Sequence, residues 1–298
     1  MNRVIPVPIR RRQAFSLLEL LLAVSIMTVI VASLYGMFYH VQRGLRANVT
    51  QVDVLEGARA AMDLLGRDFE RTGPSDRFLG LNLTGRLNTA YSPVVQVLGD
   101  GTSTRTNLLE DVAALSRYNQ KFTATAYRVL FAETGIGTLC RYDASAFPWE
   151  VDPALLVSNV LVTPIPGYAT NNSAPFTPIL DGVIHFRTTV HDAEGLEMSW
   201  WRTNILFQSG LYYGPEVRLQ PDLLLQETRY GFLSNALPAY VEIELGVLEP
   251  RTLEQYRSFG SGSPLARKFL AEHSGQVHLF RQRVPIRLGA EMRAVNLP

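Results

Sequence analysis

Cysteine is almost missing from this chain, since Cys140 is the only one in 298 residues. An intrachain disulfide is therefore excluded, and so is a zinc site built from spaced cysteine pairs. Without such staples, the fold must depend on its apolar core or on neighbouring molecules. We interpret Cys140 as a small buried apolar residue and not as a reactive thiol.

Charge is missing from the run between Leu20 and Tyr39, and proline is missing from the longer stretch between Phe15 and Thr72. Twenty apolar residues in a helix span about 30 Å, the thickness of the hydrocarbon core of a bilayer. A secretory signal peptide has a shorter apolar core of about 7–15 residues. The run therefore predicts a transmembrane helix over residues 15–40.

The flanks of this run carry an unusual pattern of charge. Glu19 lies immediately before it, and an unpaired carboxylate at membrane depth costs about 2.5–3.5 kcal/mol. The run itself offers no cation, so we expect a partner from elsewhere. Residues 1–14 contain four arginines and no acid. This excess of positive charge predicts a cytoplasmic leader, with the bulk of the chain on the other side of the membrane.

The net charge changes sign when the leader is removed. The whole chain has 28 basic and 27 acidic residues, and without the four leader arginines 24 basic residues remain, which gives −3. This balance excludes a broad basic face for nucleic acid as the default interpretation.

Beyond the apolar run, the helical pattern continues with one apolar stripe. Its members recur at intervals of three, four or seven: Leu45, Val49, Val52, Leu55, Met62, Leu65 and Phe69. Gly73-Pro74 then ends the helix, because proline cannot continue it. The pattern predicts an amphipathic half-helix over residues 41–72, which must lay its stripe on another element.

Most of the remaining chain reads as antiparallel strands. The predicted strands are Ser92–Leu98, Arg105–Leu109, Tyr127–Phe131, Gly182–Val190, Met198–Phe207, Tyr240–Leu248 and about Gln276–Leu288. Tyr240–Leu248 alternates apolar and acidic residues, which is typical of a half-buried strand. Helical insertions are predicted at Glu249–Tyr256 and Ser263–Ser274, and six prolines in residues 147–178 predict turns and extended segments. The expected fold class is α+β, with a long helix packed on a sheet in a head of residues 41–298.

Candidate chemistry is sparse. The sequence has no phosphate-binding glycine loop, no zinc spacing and no glycine-flanked nucleophile. His185 and His191 on one strand would lie about 20 Å apart, so we expect surface or edge residues and not a metal pair. Asp100, Asp192 and Glu194 lie in predicted turns that lack the six to eight oxygen ligands of calcium. We therefore predict no catalytic residue, no metal and no cofactor.

The aromatic pairs Trp200-Trp201 and Tyr212-Tyr213 are the densest aromatic concentration in the chain. Consecutive residues of a strand face opposite sides, so we expect one tryptophan in the core and the other outside it. An exposed tryptophan could contact a neighbouring subunit.

The segment Ala14-Phe15-Ser16-Leu17-Leu18-Glu19-Leu20-Leu21 resembles the processing site of type IV pilins and type II secretion pseudopilins. The resemblance implies a pilin-like fold, cleavage by a prepilin peptidase between Ala14 and Phe15, and methylation of the new amino terminus at Phe15. It also implies that Glu19 pairs with the terminal amine of a neighbouring subunit. The family usually has glycine before the cut, whereas this chain has Ala14.

Three further segments resemble J-type minor pseudopilins and W-type minor pilins more loosely: Ala58–Glu70, Asp181–Val190 and Tyr240–Leu248. The resemblance implies a minor subunit that assembles into, or initiates at the tip, a type II secretion pseudopilus or a type IV pilus. The implied partners are other pseudopilins or pilins, the prepilin peptidase, the inner-membrane assembly platform and membrane lipid. The implied location is a bacterial inner membrane, crossed once, with a periplasmic head, and then the pilus.

Two other classes of function stay open from the sequence. One is an adhesive minor pilin whose head binds a ligand or DNA. The other is a membrane-anchored periplasmic enzyme, for which the chain shows no catalytic cluster.

Overall fold

A computed structural model describes residues 16–88, 91, 93–132, 135–162, 176–200, 213–222, 227–260 and 263–287. The chain divides into two compact units, Met1–Thr50 and Gln51–Pro298.

A single helix, α1 (Leu17–Glu70), dominates the first unit and continues into the second. Its first part, Leu17–Gln42, is long and apolar enough to cross a membrane. Two hydroxyls in this part bond to their own helix, since Ser25 Oγ and Thr28 Oγ1 each donate to the carbonyl four residues earlier at 2.8 Å. These polar groups are thus satisfied without water. The predicted long N-terminal apolar helix is confirmed.

The second unit is built on a nine-stranded antiparallel sheet. Its strands are β1 (Leu81–Leu87), β4 (Glu110–Tyr118), β5 (Lys121–Leu130), β6 (Gly137–Ala146), β7 (Thr177–His191), β8 (Val217–Asp222), β9 (Glu227–Leu233), β10 (Tyr240–Leu248) and β11 (Val277–Pro285). Their order in the sheet is β11-β10-β7-β6-β5-β4-β1-β9-β8. A separate hairpin pairs β2 (Val94–Val97) with β3 (Thr104–Asn107). The α+β class with an antiparallel head is confirmed.

One face of the sheet packs against the part of α1 that belongs to the second unit. Met62, Leu65 and Phe69 of the predicted stripe are buried there, together with Ala58 and Ala61. They share a core with the alternate residues of β10 at positions 241, 243, 245 and 247. The buried part of the stripe is shorter than predicted, because Val52 is exposed.

Within the described residues, three short helices cover the other face of the sheet. They are α2 (Pro153–Val162), α3 (Pro250–Ser258) and α4 (Pro264–Glu272). The last two confirm the predicted insertions, and Ser263 Oγ accepts a hydrogen bond from Ala266 N at 3.1 Å as the cap of α4. The prediction of only turns and extended segments in residues 147–178 is wrong, because α2 lies there and packs Leu156, Val157 and Val160 on β4 and β5.

Two strand predictions need correction. β10 is predicted to be half-buried, but Glu244 and Leu248 on its second face are also buried. Leu248 packs with residues of α3 and α4, whereas Glu244 Oε2 lies 3.3 Å from His185 Nε2 of β7. In Met198–Phe207, only residues 198–200 are described. Residues 198 and 199 form a turn after the single bridge between His191 and Glu197. Residues 201–207 lie outside the described part of the chain.

Candidate functional site

The start of α1 holds Glu19 in the first helical turn. Ser16 is the residue before the helix, and its Oγ accepts a hydrogen bond from Glu19 N at 3.2 Å. Ser16 and Glu19 have the spacing of a capping box, in which a serine cap is followed three residues later by an acid. A carboxylate in the first turn is also stabilised by the partial positive charge of the helix amino end. Sequence reasoning missed this capping role, although the Ser-x-x-Glu spacing in the sequence indicates it.

The Glu19 side chain is exposed, and no cation of the described residues forms an ion pair with it. The two other predicted site residues, Ala14 and Phe15, lie outside the described part of the chain. Within the described residues, Glu19 is thus a charge at the edge of an apolar surface without an intrachain counterion. Among the described residues, no cation competes with a counterion from a second molecule for the Glu19 carboxylate.

The apolar part of α1 exposes nearly all of its surface. Every residue of Leu17–Gln42 is exposed except Gly36, which is half-buried. Leaving one large apolar side chain in water instead of burying it forgoes about 1.5–3 kcal/mol. This surface therefore needs lipid or the helices of other subunits around it.

The two histidines of β7 are not surface or edge residues, so that prediction is wrong. His185 is buried, and its Nδ1 accepts a hydrogen bond from Leu108 N at 3.1 Å while its Nε2 lies 3.3 Å from Glu244 Oε2. His191 is buried and stacks on Tyr240 with ring centroids 5.6 Å apart. Burial lowers the pKa of His191, which favours a neutral ring. Both rings fill places in the packing of β7 and β10.

The acidic turns organise the local backbone. Asp100 Oδ1 accepts hydrogen bonds from Thr102 N and Ser103 N, and bonding to Ser103 lowers the pKa of Asp100. Asp192 Oδ1 accepts in the same way from Glu194 N at 3.0 Å and Leu196 N at 2.8 Å. Among the described residues, no group of three or more His, Cys, Asp or Glu side chains is placed to hold a metal ion.

The remaining singled-out residues are mostly packing residues. Cys140 is buried, and burial raises the pKa of its thiol to about 11, which confirms the interpretation of an inert apolar residue. Tyr213 is buried and Trp200 is partly exposed. Trp201 and Tyr212 lie outside the described residues, so the expectation about the tryptophan pair stays a prediction.

A buried carboxyl group that sequence reasoning missed joins three strands. Glu110 of β4 is 3% exposed, and its Oε2 accepts from both N and Oγ1 of Thr188 on β7 at 2.7 Å. Thr188 Oγ1 also lies 2.7 Å from the hydroxyl of Tyr230 on β9. Burial raises the pKa of Glu110 to about 8, although the two donors of Thr188 act in the opposite direction. These residues are far apart in sequence, so no local pattern could have revealed the group.

An ion pair beside this group completes the junction. Arg187 Nε of β7 lies 3.0 Å from Glu227 Oε1 of β9. Burial raises the pKa of Glu227, while Arg187 opposes that shift. The arrangement holds β4, β7 and β9 together and offers no nucleophile to a substrate.

Comparison with known protein families gives a match at the amino terminus. Residues 9–35 match the family model described as the prokaryotic N-terminal methylation motif. No curated protein and no solved structure matches the chain. The matched segment contains Glu19 and the start of the exposed apolar helix. Together these features support a type IV pilin-like, prepilin-type protein that is anchored in a membrane and is a substrate of prepilin peptidase.

Proposed function

We propose that the chain is a minor pseudopilin or minor pilin subunit that assembles into, or initiates, a type II secretion pseudopilus or a type IV pilus. The observation that carries this proposal is a single carboxylate, Glu19, in the first turn of an exposed apolar helix. This turn lies inside the segment that matches the methylation motif. In this proposal, residues 1–14 are a cytoplasmic leader, residues 15–40 span the inner membrane and residues 41–298 form the periplasmic head.

Processing creates the counterion that Glu19 lacks. Cleavage between Ala14 and Phe15 frees an amine at Phe15, and methylation keeps that amine positively charged. In the filament, the amine of one subunit lies beside Glu19 of the next. Opposite charges attract strongly in a medium of low dielectric constant, and an unpaired charge there is costly. The pair therefore selects one axial register between neighbouring α1 helices.

The bulk of the head favours a minor subunit. The nine-stranded sheet and its three covering helices make a large head for a subunit repeated along a filament. The presence of Glu19 argues against the topmost, K-type position, where this acid is typically missing. We place the chain at or near the tip, beside other pilin-like subunits.

Mass analysis of the mature amino terminus tests the processing step. We expect a polypeptide that begins at Phe15 and carries one methyl group on its amine. A purified chain that still begins at Met1, without modification at Phe15, would contradict the proposal.

A substitution series at Glu19 tests the pairing step and separates it from helix capping. Glu19→Gln keeps a residue that suits a capping box but removes the charge, whereas Glu19→Asp keeps the charge. We expect Glu19→Gln and Glu19→Ala to insert into the membrane normally but to lower filament incorporation about tenfold or more, as loss of a buried pair predicts. Ser16→Ala, which removes only the cap, should assemble. Normal assembly of Glu19→Gln would show that charge pairing is not the role of this residue.

A further inference from the structure

The most exposed apolar side chains of the head lie together at one end of its sheet. Among the described residues from Gln51 onwards, the three large apolar side chains with the highest exposed fractions are Phe78 (88%), Tyr118 (82%) and Trp149 (69%). Leu79 and Leu155 are also exposed. We call these five residues the apolar end. Exposed apolar groups scattered singly are ordinary, but a concentration of them marks an interaction site.

Backbone contacts place these residues at the same end. Thr72, just after α1, bridges Ser116 of β4, and Gly73 N donates to Leu115 O at 2.9 Å. Asp76 Oδ2, in the loop that carries Phe78, lies 3.0 Å from Arg117 Nη1, beside Tyr118.

The α2 side of the sheet reaches the same end. Ala146, the last residue of β6, pairs with Phe122, the second residue of β5, and Trp149 follows shortly after it. A Cβ on Gly80 would lie 3.2 Å from the Cα of Ala154, the residue before Leu155. Loops from four parts of the chain thus meet here.

The loop that presents Phe78 is held in shape by a buried hydrogen-bonded group. Asn82 Oδ1 accepts from Ser75 N at 2.8 Å, and its Nδ2 donates to the carbonyls of Ser234 and Ala236 at 3.0 Å. Ser234 Oγ in turn accepts from Leu79 N at 3.2 Å. The exposure of Phe78 therefore results from a fixed backbone.

Backbone strain concentrates in the same place. Five described residues other than glycine have positive φ, and four of them lie here: Asp76, Leu79, Asn119 and Ser234. A positive φ is especially unfavourable for a bulky residue such as Leu79. Strain of this kind persists only where the surroundings enforce it, and it is typical of binding surfaces.

The charges around the apolar end are unbalanced. Its carboxylates accept bonds from their own chain: Asp76 from Arg117, Glu150 from Phe147 N and Asp152 from Ala154 N, all at 3.0 Å. The exposed cations Arg71, Arg77 and Lys121 form no ion pair within the described residues. A partner for this surface needs apolar side chains bordered by carboxylates.

We infer that the apolar end docks the head of a different pilin-like subunit, through an apolar face with an acidic border. A second copy of this chain would bring the same unpaired cations against each other. An anionic lipid surface would meet the carboxylates of Glu150 and Asp152, which accept backbone hydrogen bonds but pair with no cation of the described residues. The partner class rests on the proposed function, because the methylation motif supports assembly with other pilins.

Photocrosslinking in the full-length chain, in cells that contain its assembly system, tests this inference. The photoreactive residue p-benzoylphenylalanine replaces Phe78 or Tyr118, and in a matched control it replaces Leu265, which is exposed on α4. We expect a product with another chain of prepilin type at positions 78 and 118, with at least about a tenfold lower yield at position 265. The double variant Arg77→Glu, Lys121→Glu should lower the yield at position 78 about fivefold, whereas Lys268→Glu should not.

Each alternative product has a defined meaning. Two differently tagged versions of this chain reveal crosslinking between copies, which would overturn the inference, as would products with lipid or equal yields at all three positions. Mass analysis of the same sample separates this result from the proposed function. A chain that begins at Phe15 but gives no specific product refutes the docking surface alone, whereas a chain that begins at Met1 refutes the proposed processing.

Discussion

Two carboxyl groups of this chain lie in opposite surroundings. Glu19 is exposed beside an apolar surface, at the amino end of a helix that favours its negative charge. Glu110 is enclosed by β4, β7 and β9, where burial favours its protonated form. The first group is suited to attract a cation from another molecule. The second is suited to bind strands within one molecule, provided that it keeps its proton.

The protonation of Glu110 predicts a specific pH dependence of stability. Its pKa is about 8 in the fold, compared with 4.5 for an ordinary glutamate. A raised pKa in the folded state means that the stabilisation is complete below about pH 4.5 and is lost as the pH rises through about 8. In Glu110→Gln the side chain cannot ionise, so we expect the free energy of unfolding to fall less between pH 5 and pH 9 than in the wild type.

Urea unfolding of the detergent-solubilised chain at both pH values measures this difference. We expect it to be on the order of 1–3 kcal/mol, given the size of the shift. The other buried titratable groups, including Arg187, Glu227 and Tyr230, are present in both chains, so their contributions to the pH dependence cancel in the difference between variant and wild type. A difference between variant and wild type that does not change with pH would show that Glu110 is ionised in the fold.

The departure at Ala14 leads to a second prediction. A glycine before the cut lets the backbone approach a peptidase more closely than alanine does, because it has no Cβ. A protein pocket discriminates one methyl-sized group by about 10-fold. We expect Ala14→Gly to raise the rate of leader removal by up to about tenfold and Ala14→Val to lower this rate. Pulse-chase gel analysis of the three chains measures the rate. Equal rates in all three chains would mean that the side chain at position 14 is not read.

α1 shows how far a repeating pattern allows prediction. The apolar run and the stripe at Met62, Leu65 and Phe69 have a period set by the helix itself, so the sequence alone reveals which face is buried. For β10 the alternation predicts the bounds of the strand, although residues of its second face are buried as well. In both elements the residues of the buried face recur within a short stretch of sequence, so the pattern is visible in a short window.

Other elements could not be predicted because their pattern depends on distant partners. β4 is buried on both faces, so it lacks the alternation of a half-buried strand and escaped notice. α2 is apolar almost throughout, because it packs on the second face of the sheet, and its prolines suggested turns. The buried junction at Glu110 and the apolar end both combine segments that only the folded topology brings together.

The face of α1 that belongs to the second unit provides a test of this packing. Leu65 is buried in the main core, whereas Asp63 is exposed on the same helix. We expect Leu65→Ala to lower the free energy of unfolding by about 2–5 kcal/mol, because it leaves a cavity. Asp63→Ala should change it by less than about 0.5 kcal/mol. Tryptophan fluorescence during urea unfolding measures both, and equal effects would contradict the observed packing.

The size of the head predicts how often the protein occurs in a filament. A head built on a nine-stranded sheet with helices on both faces is large for a subunit that repeats closely along a filament. We therefore expect few copies of this chain in each purified filament, measured by quantitative mass spectrometry against the most abundant subunit. A copy number equal to that of the most abundant subunit would contradict the minor-subunit proposal.

Because Cys140 is buried, the folded native chain should react very little with thiol reagents. Its sulfur is enclosed in β6, and at neutral pH the thiol holds its proton, so maleimides should pass it by. A cysteine introduced on the surface away from the apolar end, for example Leu265→Cys, would then be the single reactive position. Fluorescent or spin probes can therefore follow this protein through membrane insertion and assembly without first replacing Cys140.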